Sequence, residues 1–243
     1  MSDKDNELVL CTQASELILA GHFTGAVAAF DRPARVNYLE RFLSKAMFIK
    51  RRDCEDNTRF KQIIPYIVLR WRQPDVQGGA VLQYHRTKRS GEERLVGQAS
   101  IGIGGHVNLN DLGAEPLPSA AELHNEYNEN GFIGVSTETA RAAFWNGARR
   151  ELREEVRIDG GHGEPKLVGF VNNDDTPVGS VHFGVVLLVD VSYPCVYPAD
   201  ESTQLMRFRS LAQLRSTYSS VPFEDWSRLL LSAGDDQMPW SQF

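Results

Sequence analysis

Apolar positions recur along the chain with two different periods, and each period predicts a different kind of element. Helical spacing predicts one helix over residues 36–47 and a longer one over residues 137–156, with Ser136 or Thr137 as its N-cap. Alternating or continuous β-rich runs predict strands, and the run at 181–191 is apolar enough on both faces for a central strand. Strands are predicted at 8–10, 63–71, 81–86, 98–104, 166–173, 181–191 and 206–209, and two last helical segments at 211–214 and 224–232.

The order of these elements predicts the fold class. Strands separated by one long helix, with helices towards both ends, indicate an α/β protein with a mixed central sheet between helical layers. We expect a main domain over 61–243 and an N-terminal extension over 1–60, formed by a short strand plus a helix that pack on that domain. Residues 107–135 have the pattern of a helical insertion, in which Ser119 and Glu122 form a capping box and Asn130-Gly131 ends the helix.

Composition narrows the classes of function. The 243 residues carry a formal net charge of −6, which argues against a protein that binds duplex nucleic acid. No apolar run approaches the roughly 18 residues of a membrane-spanning helix, and the polar residues 2–7 do not resemble a secretory signal. The three cysteines, Cys11, Cys54 and Cys195, form no CxxC pair. We therefore expect a reduced, cytoplasmic protein that does not act on membranes.

Residues 149–157 concentrate charge on one predicted helix. Glu151, Glu154 and Glu155 fall on little more than one turn, and Glu151 and Glu155 repeat like charge at i,i+4 spacing, which costs about 0.2–0.5 kcal/mol. A solvated helix face and a site for a divalent cation both account for these carboxylates. Magnesium is the cation that they favour, because it takes hard oxygen ligands.

A glycine-rich turn precedes this helix. Residues 101–106 read Ile-Gly-Ile-Gly-Gly-His at the end of a predicted strand. The adjacent glycines Gly104 and Gly105 permit positive φ and let the backbone approach a ligand or an ion closely. A bulge or a tight exit from the strand is the alternative interpretation.

Together, the turn and the helix resemble the Nudix hydrolases, whose signature is a glycine-containing turn followed by a helix with Arg-Glu-apolar-x-Glu-Glu. Residues 150–155 match that core in full, and Gly104-Gly105 match the turn. The resemblance covers about residues 62–215 and extends to a subgroup of MutT-like phosphoesterases through residues 62–66, 100–106 and 178–184. It implies a Nudix-like α/β/α sandwich with a mixed central sheet.

The same resemblance implies hydrolysis of a diphosphate linkage in a nucleoside diphosphate derivative or similar phosphoanhydride, with Mg²⁺ or Mn²⁺ as cofactor. Glu154, Glu155 and the Gly104 carbonyl would bind the metal. Glu151 would be a third ligand or the general base, and Arg150 would orient it through a charged hydrogen bond. The predicted catalytic residues are thus Glu151, Arg150 and Glu154, and the predicted metal ligands are Glu151, Glu154, Glu155 and Gly104.

Substrate phosphates also need cations and donors, and the predicted substrate-binding residues are Arg86, Arg94, Gly105 and His106. For either arginine, a solvated turn charge is the alternative. The chain departs from the family signature at Ala142, where a first glutamate is usual, and Glu138 one turn earlier is a candidate to replace it.

Two other functions fit the same signature. One is a non-catalytic nucleotide-binding or regulatory module, and the other is isomerisation of an isoprenyl diphosphate, which would require a cysteine at the site. Residues 1–60 could cover a sheet edge, bind the second half of the substrate or form a homodimer, and the sequence does not choose among these roles.

Overall fold

The computed structural model describes residues 3–29, 38–73, 76, 78–87, 96–113, 127, 131–201, 203–234 and 238. Its strands are β1 Leu8–Gln13, β2 Gly25–Ala28, β3 Met47–Lys50, β4 Phe60–Trp71, β5 Ala80–Arg86, β6 Ala99–Ser100, β7 Gly102–Ile103, β8 Ile133–Gly134, β9 Val156–Ile158, β10 Lys166–Asn172, β11 His182–Val191, β12 Val196–Pro198 and β13 Thr203–Ser210. Its helices are α1 Ala14–Gly21, α2 Tyr38–Leu43, α3 Arg51–Cys54, α4 Thr137–Glu155, α5 Leu211–Ser216 and α6 Asp225–Ser232.

One mixed sheet organises the chain. Its strands follow the order β2-β10-β11-β4-β1-β3-β8, and β5, β6, β7 and β13 join through β4 and β5. β11 runs parallel to β4, with His182 opposite Gln62 and Val191 opposite Trp71. The remaining ladders of this sheet are antiparallel.

The long strand β4 separates two apolar cores, because successive side chains of a strand point to opposite faces. Ile63, Ile67 and Leu69 pack in one core with residues of α1, α2 and α4. Ile64 and Val68 pack in the other core with residues of α5 and α6. Helices therefore cover both faces of the sheet, and the predicted α/β architecture with a mixed sheet between helical layers is confirmed.

The N-terminal segment contains more structure than a short strand plus a helix. β1 lies inside the sheet between β3 and β4, and β2 pairs with β10. The apolar spacing over 36–47 predicts one helix, but helix α2 ends at Leu43 and Met47 begins a strand that pairs with β1. Long-range pairing here overrides local periodicity. The domain boundary at residue 60 stays a prediction.

Part of the predicted insertion is described. A short 3-10 turn over Leu109–Leu112 opens it, and the strand β8 closes it. The capping box of Ser119 and Glu122 lies outside the described residues. At the predicted end of the inserted helix, Gly131 has φ 72° and its N–H donates to the Tyr127 carbonyl at 2.7 Å, as expected of a helix C-terminal glycine.

Within the described ranges, no helix has the length and apolar character needed to cross a membrane.

Candidate active site

The glycine turn is fixed by a buried hydrogen-bond network below it. The Gly102 carbonyl accepts from the Tyr84 hydroxyl at 2.7 Å and from the Ser100 hydroxyl at 2.9 Å. The Tyr66 hydroxyl donates at 2.5 Å to Glu224, whose carboxylate caps the N-terminus of α6. A Cβ at Gly102 would lie 2.0 Å from the Tyr66 ring, so only glycine fits between the strand and this ring. The network therefore sets the position from which the turn leaves the sheet.

Gly104 and Gly105 are required for close approach and not for positive φ, which neither residue adopts. A Cβ at Gly104 would lie 2.0 Å from the Pro65 carbonyl oxygen. A Cβ at Gly105 would lie 2.5 Å from the carboxylate atoms of Glu151 on α4. The turn thus passes between the central strand and the carboxylate of the helix. Both glycines thus make room for the chain's own atoms, and the close approach of a ligand or an ion to this turn stays a prediction.

Replacing Gly105 with alanine should lower turnover on the order of 100-fold, because the added methyl group must push the Glu151 carboxylate aside. The fold should persist, since the displaced group is the end of a side chain. Steady-state kinetics on the variant, with circular dichroism for the fold, measure this effect. As a control, Gly134→Ala places a methyl group where nothing lies within 4 Å. Equal turnover in the two variants would contradict the prediction.

The helix α4 carries the three glutamates and begins where the sequence predicts. Ser136 is its N-cap and accepts from the Thr139 N–H at 3.1 Å. One face of the helix is buried through Phe144 and Leu152. This packing turns Glu151 inwards, leaving 8% of the residue exposed, while Glu154 remains exposed.

Arg150 is the centre of the polar contacts at this site. Its Nε and Nη2 donate to the two carboxylate oxygens of Asp111 at 2.8 and 2.9 Å. Its Nη1 donates to both Glu151 and Glu154 at 2.8 Å, and its Nη2 donates to the His106 carbonyl at 2.8 Å. The hydrogen bond to Asp111 is the largest cause of the raised pKa of Arg150. One guanidinium therefore ties the helix to both the turn and the insertion.

Asp111 is a site residue that the sequence reasoning misses. Its side chain is 4% exposed, and it also accepts from the Asn108 N–H at 2.9 Å. A Cβ at Gly147 would lie 2.9 Å from its Oδ2, so glycine makes room for it on α4. Only the capping-box spacing from Asn108 to Asp111 marks Asp111 in the sequence.

Glu138, the candidate to replace the glutamate missing at Ala142, is exposed in the first turn of α4.

Glu151 combines burial with crowding by like charges. Burial raises its pKa to about 7, against the opposing effect of Arg150 and with smaller increases from Glu155 and Glu154. The carboxylate is thus poised to hold or release a proton near neutral pH, which suits a general base.

The three glutamates are close in sequence but their carboxylates do not converge on one point. Among the described residues, Glu151, Glu154 and Glu155 do not form a group whose ligand atoms all lie within 4.8 Å of one another. Glu154 is instead paired with Arg150. Their chemistry nevertheless fits a divalent cation, because all three offer carboxylate oxygens. A cation would also offset the repulsion that Glu154 and Glu155 exert on the ionised form of the buried Glu151. Binding one cation with all three carboxylates therefore requires at least one of these side chains to move.

The predicted substrate-binding residues are only partly gathered at the site. The Arg86 guanidinium lies 5.8 Å from the Tyr84 ring centroid, and its buried Nε has no hydrogen-bond partner in the described part of the chain. Its pKa is raised by Tyr84, and to a smaller extent by Glu224 and Glu155, so Arg86 is within electrostatic reach of the helix. Arg94 lies outside the described residues.

Two of the three cysteines lie in the N-terminal segment, and the third lies before strand β12. Cys11 and Cys54 are fully buried in a separate small cluster with Val9, Met47 and Ile49. Cys195 precedes strand β12, and its carbonyl accepts from the Asp159 N–H. None of the contacts given above for Arg150 or Glu151 involves a cysteine, so nothing here favours the isomerase alternative.

The comparisons with known proteins agree with this architecture. No family model matches the chain. Protein YmaB of Bacillus subtilis (strain 168) is 26% identical over 185 residues, which are 75% of this chain and 75% of that protein. The crystal structure of Tm1382, a protein assigned to the Nudix hydrolases, superposes with a TM-score of 0.63 and 24% identity, covering 92% of this chain and 95% of the other. The chain therefore has the Nudix fold.

Proposed function

We propose that this protein is a hydrolase of phosphoanhydrides, a pyrophosphatase or phosphoesterase that cleaves a diphosphate linkage in a nucleoside diphosphate derivative or similar compound with Mg²⁺ or Mn²⁺. The observation that carries this proposal is the buried carboxylate of Glu151, held between Gly105 and Arg150 on a helix that also bears Glu154 and Glu155. The Nudix fold, shared with a protein assigned to the Nudix hydrolases, supports it.

In this proposal the chain's own groups prepare the attack of water on phosphorus. Glu151 accepts the proton of the attacking water, and its pKa of about 7 matches that role at neutral pH. Arg150 holds the Glu151 carboxylate in one orientation, because Asp111 fixes the guanidinium through two hydrogen bonds. Glu151 as a third metal ligand is the alternative assignment.

The metal would be held by Glu154 and Glu155, together with the Gly104 carbonyl. When bound, a divalent cation neutralises phosphate oxygens and lowers the pKa of water. Arg86 is assigned to a substrate phosphate from the sequence, and Gly105 and His106 would border the substrate where the turn meets α4. Arg94 is assigned the same role as Arg86 from the sequence.

Release of phosphate or nucleotide from a panel of nucleoside diphosphate derivatives tests this function. The assay is run with Mg²⁺, with Mn²⁺ and with chelator, on the wild type, Glu154→Gln and the control Glu164→Gln, an exposed glutamate that pairs with Arg149. We expect metal-dependent turnover that Glu154→Gln lowers on the order of 100-fold and Glu164→Gln leaves unchanged. Nucleotide binding without turnover, in folded protein, would instead indicate the non-catalytic module. Unchanged turnover in Glu154→Gln would falsify the metal assignment.

A further inference from the structure

A carboxylate from the N-terminal segment meets two histidines beside the glycine turn. Glu55 follows α3, His106 follows Gly105, and His182 begins β11. Their ligand atoms all lie within 4.8 Å of one another. No other set of three or more His, Cys, Asp or Glu residues is brought so close in the described part of the chain. Three separate segments of the chain thus converge on one point.

The two imidazoles have the spacing of ligands to a common metal. Their Nε2 atoms lie 3.3 Å apart, with the rings inclined at 61°. Two nitrogens bound tetrahedrally to zinc, each at about 2.0–2.1 Å, are separated by roughly 3.3–3.4 Å. The observed separation is longer than the usual range of an N–H hydrogen bond, about 2.7–3.2 Å. The same separation also allows a hydrogen bond from one ring to the other, so the spacing of the pair is compatible with a shared ion and does not by itself require one.

The orientation of His182 fits the same role. Its Nδ1 lies 2.7 Å from the Val178 carbonyl oxygen, so the proton of the neutral ring is on Nδ1 and the lone pair of Nε2 faces His106. A backbone carbonyl on the far nitrogen is the usual partner that orients a metal-binding histidine. The strand at this point is also fixed, because the buried Lys61 ammonium donates to the carbonyls of His182 at 3.3 Å and Gly179 at 2.7 Å.

A second, independent observation comes from Gln62. It is the register partner of His182 on the neighbouring parallel strand, so both side chains leave the same face of the sheet. Gln62 is 0% exposed, and neither its amide oxygen nor its amide nitrogen has a hydrogen-bond partner among the described residues. A buried amide left unpaired costs about 1–3 kcal/mol, and an ion with its bound water would supply the missing partners.

We propose that Glu55, His106 and His182 bind a divalent transition-metal ion, with zinc as the best fit, at a site distinct from the glutamates of α4. Two imidazoles and one carboxylate are a ligand set that zinc takes, and the separation of the two nitrogens fits its tetrahedral geometry, whereas the all-oxygen glutamates favour magnesium. Three protein ligands leave a fourth position for water or for an anion. The ion would link the N-terminal segment to the glycine turn. This site goes beyond the proposed hydrolase function and does not depend on it.

Zinc content tests the proposal without any assay of turnover. The full-length protein is stripped with chelator, incubated with zinc in millimolar Mg²⁺ to saturate the glutamates, and passed through a desalting column before elemental analysis. Cobalt in place of zinc gives a visible absorption spectrum that reports nitrogen ligation. We expect about one zinc per chain in the wild type and a tetrahedral cobalt spectrum.

Variants locate the bound ion. His106→Gln and His182→Gln should lose the zinc, and Glu55→Gln should bind it 10- to 100-fold more weakly. Glu154→Gln should retain it, as should His162→Gln, which changes an exposed histidine elsewhere. Circular dichroism identifies any variant that fails to fold, and Glu55→Gln, at a partly exposed position, keeps the test decisive if His182→Gln does not fold. The proposal is wrong if the wild type binds no zinc, or if both Glu55→Gln and His106→Gln retain it. Loss of zinc in Glu154→Gln alone would instead place the ion at the glutamates of α4 and would also overturn the proposal.

Discussion

Replacing Asp111 with asparagine should lower the free energy of unfolding by about 3 kcal/mol and slow turnover about 100-fold. Asp111 is nearly buried and accepts two hydrogen bonds from Arg150. An asparagine keeps the volume but turns an amide NH₂ group towards the guanidinium, so part of a buried charge loses its partner. Arg150 is then free to shift, and it no longer fixes the Glu151 carboxylate.

Urea unfolding followed by circular dichroism measures the first effect, and steady-state kinetics the second. The matched control is Glu164→Gln. This change removes the exposed partner of Arg149, which lies on α4 next to Arg150. Exposed pairs contribute little, so this variant should unfold within about 0.5 kcal/mol of the wild type. The role assigned to Asp111 is wrong if both variants have the same stability and full activity.

Replacing Glu151 with glutamine should stabilise the metal-free protein while lowering turnover at least on the order of 1000-fold. The folded-state pKa of Glu151 is about 7, above its ordinary value of 4.5, because burial disfavours the charged form. A raised carboxylate pKa means that the folded state holds the proton more tightly than the unfolded state. Stability of the wild type should therefore fall by about 3 kcal/mol as pH rises from 4.5 to 7, and then level off.

This effect is measured by urea unfolding in chelator at pH 5, 6, 7 and 8. Glu151→Gln should lack the fall between pH 5 and 7 and should be more stable than the wild type at pH 8 by about 2 kcal/mol, once the weaker hydrogen bond to Arg150 is included. Glu138→Gln should follow the wild-type pH profile. A flat wild-type profile, or a variant less stable than the wild type at pH 8, would contradict the raised pKa of Glu151 in the folded state.

The sequence predicts local features of this protein well. The helix over 137–156 is observed as Thr137–Glu155 with Ser136 as its N-cap, and the run at 181–191 is the buried strand His182–Val191. The helix depends on apolar periodicity and on a capping side chain, and the strand depends on a continuous apolar run, which are all properties of contiguous residues. The glycine turn is recognisable for the same reason, since Gly104 and Gly105 are adjacent.

What the sequence does not predict is long-range contact. Asp111 reaches Arg150 from an insertion, 39 positions away in the chain. Glu55 reaches His182 from the N-terminal segment, because β1 and β11 pair with β4 on either side. Met47 lies in a strand although local spacing favours a helix, since its partner is Cys11 on β1. In each case the deciding partner is outside the window in which periodicity is read.

The parallel pairing of β4 with β11 has a consequence for synthesis of the chain. Register partners such as Gln62 and His182 are about 120 residues apart, so the ribosome completes β4 long before its neighbour exists. At roughly 5–20 residues per second, an apolar strand destined for burial on both faces waits several seconds with one edge unpaired. β1 precedes it and pairs with the other edge at its start, and β3 pairs with the far edge of β1. The N-terminal segment thus gives the nascent chain an early partner for an apolar strand with an unpaired edge, and removal of this segment should lower the yield of folded protein.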